Sequence, residues 1–182
     1  HRVGQCFMKG AGTEKNPEQA VSWYKKAAEQ GLASAQMDLG VCYSFGNGVK
    51  QSDAEAMKWF KKAADQGYPR AQFAVGNCYQ KGAGVPKNAE IAMEWIRRAA
   101  DQGYADAQLY LGICFLNGVD VPQNKEEGIA LIRQAAQTGN PDAELFLGIC
   151  YAKGNGVEEN LSLSVQWVHR AAEKGHAPAQ KW

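Results

Sequence analysis

Residues 33–68 read ASAQMDLGVCYSFGNGVKQSDAEAMKWFKKAADQGY, and this stretch decides the fold. Its first third predicts a helix over 33–45. Apolar residues recur there at i, i+4 and i+8 on one helix face, at Ala35, Leu39 and Tyr43. A glycine-rich turn follows, where backbone with positive φ suits glycine better than other residues.

A second helix is predicted over 53–66. Ser52 occupies the N-cap position, and Glu55 three residues later completes a capping box. Gly67 then ends this helix at the C′ position. The stretch is therefore predicted to form a hairpin of two helices.

The same pattern recurs along the whole sequence with a period of 36 residues, without an insertion or a deletion. Two glycine columns keep this period: Gly31, Gly67, Gly103, Gly139 and Gly175, and Gly4, Gly40, Gly76, Gly112 and Gly148. We predict five repeats, over 1–32, 33–68, 69–104, 105–140 and 141–176, with 177–182 opening a further one. Stacked hairpins of this kind predict an all-α fold, a right-handed α/α solenoid forming a single domain.

These residues resemble the Sel-1-like repeat, a relative of the tetratricopeptide repeat. The family pattern is approximately A-x-x-x-L-G-x-x-Y-x-x-G-x-G-V followed by A-x-x-W-x-x-K-A-A-x-x-G, and the resemblance covers essentially the whole sequence. The second repeat matches it at Ala35, Leu39, Gly40, Tyr43, Gly46, Gly48, Val49, Ala56, Trp59, Lys62, Ala63, Ala64 and Gly67. In the fourth repeat Asp120 replaces the second turn glycine and Leu131 replaces the tryptophan, so we expect its hairpin to be the least regular.

The charge balance bears on the class of partner. Lys and Arg number 20 against 19 Asp and Glu, which gives a formal net charge of +1. Proteins that bind nucleic acid normally carry a clear basic excess, so we expect no nucleic-acid partner. No apolar run of about 18 residues occurs, which predicts no membrane span in this fragment. Because the sequence starts at His1 rather than Met, we read it as part of a longer protein, in which a targeting segment can precede it.

One cysteine occupies the same position in each repeat: Cys6, Cys42, Cys78, Cys114 and Cys150. Equivalent positions on successive stacked helices are expected to lie about 10 Å apart, whereas a disulfide allows at most about 7 Å between Cα atoms. A single column also does not supply the ligands of a metal site. We therefore predict reduced packing residues and no metal or other cofactor. Five free thiols favour a reducing compartment such as the cytoplasm.

No residue pattern supports catalysis, so the sequence predicts that the protein is not an enzyme. Ser22 and Lys25 match the S-x-x-K motif of penicillin-recognising enzymes, and some Sel-1-like proteins have been named as β-lactamases. The partner motifs S-D-N and K-T-G are absent. Along the repeats the position of Ser22 is taken by Lys58, Glu94, Ala130 and Gln166, as is typical of an unconstrained exposed face.

The function is instead expected to lie on the surface that stacking creates. The resemblance to tetratricopeptide-like solenoids implies that the first helix of each hairpin lines a concave groove. The groove residues would be Met37, Val41, Phe45, Phe73, Asn77, Gln80, Leu109, Ile113, Leu116, Leu145 and Ile149. Because most of them are apolar, and an exposed apolar stripe favours a partner, we expect an interaction scaffold that binds another protein or a peptide segment.

Two alternatives remain open at this point. In one, the superhelix winds tightly enough for these apolar side chains to bury one another. In the other, the groove holds a small molecule or a glycan, or a hydrolytic site of the β-lactamase type. A site of that kind needs convergent polar groups, and the predicted groove offers mainly Asn77 and Gln80.

Overall fold

The computed structural model describes residues 1–182, which form helices and no strands. The helices are α1 (Arg2–Lys9), α2 (Pro17–Glu29), α3 (Ala33–Phe45), α4 (Asp53–Asp65), α5 (Pro69–Lys81), α6 (Ala89–Asp101), α7 (Ala105–Asn117), α8 (Lys125–Gln137), α9 (Pro141–Lys153), α10 (Leu161–Glu173) and α11 (Ala177–Gln180). The predicted all-α class, built from repeated helix hairpins, is confirmed. No helix exceeds 13 residues, and none is long and apolar enough to cross a membrane.

Capping residues set the helix ends at the predicted places. The Ser52 hydroxyl accepts a hydrogen bond from the Glu55 backbone N–H at 3.3 Å. The equivalent asparagines cap the other second helices: Asn16, Asn88, Asn124 and Asn160. After α4, Gly67 has a φ of 83°, in the left-handed region that favours glycine. The repeat pattern therefore determines where each hairpin begins and ends.

The fourth repeat is more regular than expected. Its two helices, α7 and α8, each have 13 residues, like those of the second repeat. Asp120 adopts a φ of 59° in place of the missing turn glycine. Aspartate tolerates this conformation better than most residues, so the departure is confined to the turn.

Contacts divide the protein into two compact units, His1–Trp95 and Ile96–Trp182, and the boundary falls within α6. We call them the N-terminal unit and the C-terminal unit and describe each by itself. In the N-terminal unit, α1 packs on α2 and α3 on α4, while α2 and α4 also contact the first helix of the following repeat. In the C-terminal unit, α7 pairs with α8 and α9 with α10, and α8 also contacts α9.

Glycine lets the two helices of a hairpin approach closely. A Cβ added at Gly40 of α3 would lie 2.5 Å from the Phe60 ring of α4 and 3.2 Å from the Ala56 carbonyl oxygen. In the C-terminal unit a Cβ at Gly148 would lie 2.7 Å from Val168. The glycine column is therefore a packing requirement of the repeat.

The tryptophan of a second helix packs on the preceding repeat. Trp59 is buried with Ala20, Val21 and Tyr24 of α2, and Trp95 with Met57 and Phe60 of α4. Trp23 has no preceding second helix among residues 1–182, and 41% of its surface is exposed.

Candidate functional site

The first helices of the N-terminal unit carry six of the predicted groove residues. Val41, Phe73, Asn77 and Gln80 are half-buried, and Phe45 at the end of α3 is 71% exposed. Met37 is only 4% exposed and packs in the core with Phe60 and Val75. Its assignment as a groove residue was wrong, because the following hairpin covers this position.

The first helices of the C-terminal unit carry the other five. Leu109, Ile113, Leu145 and Ile149 are half-buried. Leu116 is 1% exposed and belongs to the core beside Ile129 and Ile132. It was also assigned wrongly, because the end of α7 faces α8.

Two aromatic residues missed by the sequence analysis share this region of the C-terminal unit. Tyr110 on α7 and Phe146 on α9 are half-buried next to the predicted positions. Leu109, Ile113 and Phe146 pack against one core cluster. We call the six half-buried residues the apolar patch: Leu109, Tyr110, Ile113, Leu145, Phe146 and Ile149. They are not a fully exposed stripe, because each side chain is partly covered by the helices around it.

The N-terminal unit has a charged cluster in place of this patch. Asp38 on α3 lies 2.7 Å from His1 Nε2 and 3.6 Å from an Arg70 guanidinium nitrogen on α5. Gln5 Nε2 donates to the same carboxylate at 3.5 Å. Burial raises the pKa of Asp38, and the positive charge of Arg70 opposes that rise.

A pocket of about 320 Å³ opens beside this cluster. Its walls include Gln5 and Lys9 of α1, Tyr24 of α2 and Asp38 of α3, together with Arg70 of α5. Of the predicted groove residues, Val41 lines it. The four charged and hydroxyl-bearing residues of this pocket were not predicted from the sequence, because they come from three repeats and share no motif.

A buried polar column, also missed, joins neighbouring repeats. The buried Gln36, Gln72 and Gln108 each donate a hydrogen bond to a carbonyl oxygen at the end of the preceding second helix. Gln180 donates in the same way but is exposed. Glu144 takes this position in the fifth repeat, fully buried, and pairs with Lys174 at 2.8 Å and Arg170 at 3.3 Å. Aligning the repeats would have revealed the column, whose role is to hold hairpins together.

The cysteines are free, and four of them are buried. Burial raises the pKa of Cys42, Cys78 and Cys150 to about 11 and also raises that of Cys114. Cys6 differs because it is exposed on α1. Thiols held in the neutral form are poor nucleophiles and poor metal ligands, and no group of His, Cys, Asp and Glu side chains could hold a metal ion.

The S-x-x-K match lies away from the pocket. Ser22 and Lys25 are both exposed on α2, and neither lines the pocket. No histidine or carboxylate forms a hydrogen bond with the Ser22 hydroxyl, so the hydroxyl has no general base.

The comparisons with known proteins agree with the repeat pattern. The family model of the Sel1 repeat matches residues 1–32, 33–68, 69–104, 105–140 and 141–176. No curated protein matches the sequence.

Solved structures of similar fold include a Sel1 repeat protein from Oxalobacter formigenes, with 36% identity and a TM-score of 0.87 over 98% of this protein and 71% of that one. Another is c5321, a protective antigen of uropathogenic Escherichia coli strains with an SLR fold, at 38% identity and a TM-score of 0.84. That match covers 98% of this protein but 38% of c5321. The immunity protein Pa5087 from Pseudomonas aeruginosa shares the fold at 22% identity and a TM-score of 0.71, over 98% of this protein and 69% of Pa5087.

Proposed function

The protein belongs to the Sel1 repeat family, and from this premise we propose that it is an interaction scaffold that binds a segment of a partner protein with its first helices. Repeats of this tetratricopeptide-like kind commonly serve as protein-interaction scaffolds. The sequence spans 38% of the length of c5321. The proposal therefore concerns binding by these repeats, and any binding by a longer protein that contains them is proposed in the same way.

One observation carries the proposal. The apolar patch leaves six large side chains partly open to solvent on α7 and α9. Other residues of these helices already form the core beneath them: Ala107, Leu111, Cys114, Ala143, Leu147 and Cys150. The patch side chains pack on this core from outside, and their remaining open surface offers apolar anchors to a bound segment.

The proposal is tested by selecting binding segments from a displayed peptide library and measuring their affinity by fluorescence anisotropy. We expect selected segments to carry apolar anchors, and Ile113→Thr or Ile149→Thr to weaken binding about tenfold with helicity retained. The matched control is Ala130→Ser, an exposed position on α8. Affinity that responds to Ala130→Ser but not to the two patch variants would place binding elsewhere and contradict the proposal.

We propose no catalytic role. The exposed Ser22 and Lys25 provide no base and no enclosed site. We therefore expect the rate of nitrocefin hydrolysis to be the same with the purified protein, with its Ser22→Ala variant and with buffer alone. The free and mostly buried thiols support a reducing compartment as the place of function.

A further inference from the structure

The pocket of the N-terminal unit contains a polar group, the Tyr24 hydroxyl, that the packing of the repeats does not require. Phe60 occupies the position of Tyr24 in the next repeat and packs against Gly40 as Tyr24 packs against Gly4. The ring alone therefore satisfies the packing. Tyr24 lines the pocket and is only 3% exposed, and its additional hydroxyl forms no hydrogen bond within the protein.

The state of this hydroxyl defines what it can bind. Burial, with a further contribution from Asp38, raises the pKa of Tyr24 to about 12. The phenol is therefore protonated at neutral pH and has a proton to donate. An unused donor inside a pocket is best matched by an acceptor of the ligand.

The charges around the pocket favour an anionic acceptor. Lys9 Nζ has no carboxylate within ion-pair distance. Arg70 lies 3.6 Å from Asp38, and its side chain is 49% exposed, which leaves guanidinium N–H groups available. Lys9 and Arg70 against Asp38 give the lining a net charge of +1 with His1 neutral.

We propose that this pocket binds a carboxylate group of a peptide segment, with Tyr24, Lys9 and Arg70 as its donors. Met8 and Val41 contact the apolar part of the segment, and Asp38 holds Arg70 and accepts from a backbone N–H beside the carboxylate. The inference rests on the proposed scaffold function and specifies the chemistry of one part of the partner. The carboxylate belongs either to an Asp or Glu residue of the segment or to its free C-terminus.

Three probes test the chemistry: acetyl-Leu-Glu-amide, acetyl-Leu-Leu with a free carboxylate, and the neutral acetyl-Leu-Gln-amide. Each is titrated into the 182-residue protein while the amide resonances around the pocket are followed by NMR. We expect at least one carboxylate probe to bind at least tenfold more tightly than the neutral one. Tighter binding of the first probe identifies an acidic residue as the source, and tighter binding of the second identifies a C-terminus.

Variants connect the affinity to the named donors. Tyr24→Phe, which keeps the packing seen at Phe60, and Lys9→Met should each weaken the carboxylate probe about five- to tenfold. Lys25→Met, on the exposed face of α2, is the matched control and should leave the affinity unchanged. Equal binding of charged and neutral probes, no binding of either, or affinities unaffected by both pocket variants would overturn the inference.

The test separates this inference from the proposed function. A selected partner segment that loses affinity with Ile113→Thr but not with Lys9→Met leaves the scaffold function standing and overturns the carboxylate site. A segment that responds to neither of these two variants contradicts both.

Discussion

The first helices of the two units have the same backbone role but expose different chemistry. One column of the repeat reads Asp38, Ala74, Tyr110 and Phe146, and another reads Val41, Asn77, Ile113 and Ile149. In these two columns the residues of the N-terminal unit are smaller or more polar than those of the C-terminal unit, whereas a third column is apolar in both units, with Phe73, Leu109 and Leu145. Beneath both, the buried columns are constant: Ala35, Ala71, Ala107 and Ala143, and Cys42, Cys78, Cys114 and Cys150. The residues on the half-buried face therefore differ between the units while the buried Ala and Cys columns stay the same.

The largest expected effect concerns the core that both faces share. Trp95→Ala should lower the free energy of unfolding by about 3–5 kcal/mol, because the ring of this α6 residue is buried against α4. Trp23→Ala should cost about 1 kcal/mol, because Trp23 is 41% exposed. Urea denaturation followed by circular dichroism measures both. Equal losses would contradict the view that each tryptophan is stabilised by the preceding repeat.

A second prediction compares the buried polar column in the two units. Lys174→Met should cost about 2–3 kcal/mol, since it removes a partner of the fully buried Glu144 carboxylate and leaves Arg170 alone with it. The matched change in the N-terminal unit is Gln66→Met, which breaks the neutral Gln66–Gln36 hydrogen bond and should cost about 1 kcal/mol. Thermal unfolding of both variants checks the difference. A larger loss for Gln66→Met would show that Lys174 does not stabilise the buried carboxylate.

A third prediction compares an aspartate introduced at the same repeat position in each unit, at residue 113 and at residue 77. Ile113→Asp should cost about 2 kcal/mol, because Ile113 is half-buried against the core of the C-terminal unit. The sequence alone predicted an exposed apolar stripe there, and the half-burial of Ile113 revises that expectation. Asn77→Asp, in the same column of the N-terminal unit, should stay within about 0.5 kcal/mol. Similar losses for the two variants would remove the distinction between the faces.

The smallest expected effect depends on pH and is absent at neutrality. The thiols of Cys42, Cys78 and Cys150 have pKa values raised from 9.0 to about 11, so folding favours their neutral form. Their contribution to stability is fully present below pH 9 and is lost as the pH rises from 9 through 11, because the unfolded state then binds fewer protons than the folded one. Melting temperatures between pH 8 and 10.5 should fall less steeply for Cys42→Ala than for the parent protein. Identical slopes would show that this thiol is not desolvated in the folded state.

The local structure follows from the sequence because its determinants are local. Ser52, Glu55 and Gly67 predicted the limits of α4 to within one residue, and the helix over 33–45 has the predicted ends. Caps and turn glycines act within a few residues, so they can be recognised without knowing the neighbours.

The candidate site was predicted less well because exposure depends on neighbouring repeats. Met37 and Leu116 have the spacing of groove residues, yet adjacent helices cover both. The pair of Asp38 and Arg70 joins positions in different repeats, and no motif records it. Tyr24 could have been noticed as the one hydroxyl in a column otherwise filled by Phe60, Ile96, Ile132 and Val168.

The central claim is that the protein binds a partner segment with its first helices. It is tested most directly by mapping amide chemical-shift changes when a selected segment is added to the labelled protein. We expect the changes to concentrate on first helices, above all on α7 and α9 around Ile113 and Ile149. Changes concentrated instead on the exposed faces of second helices, around Ala130 on α8 or Lys58 on α4, would contradict it.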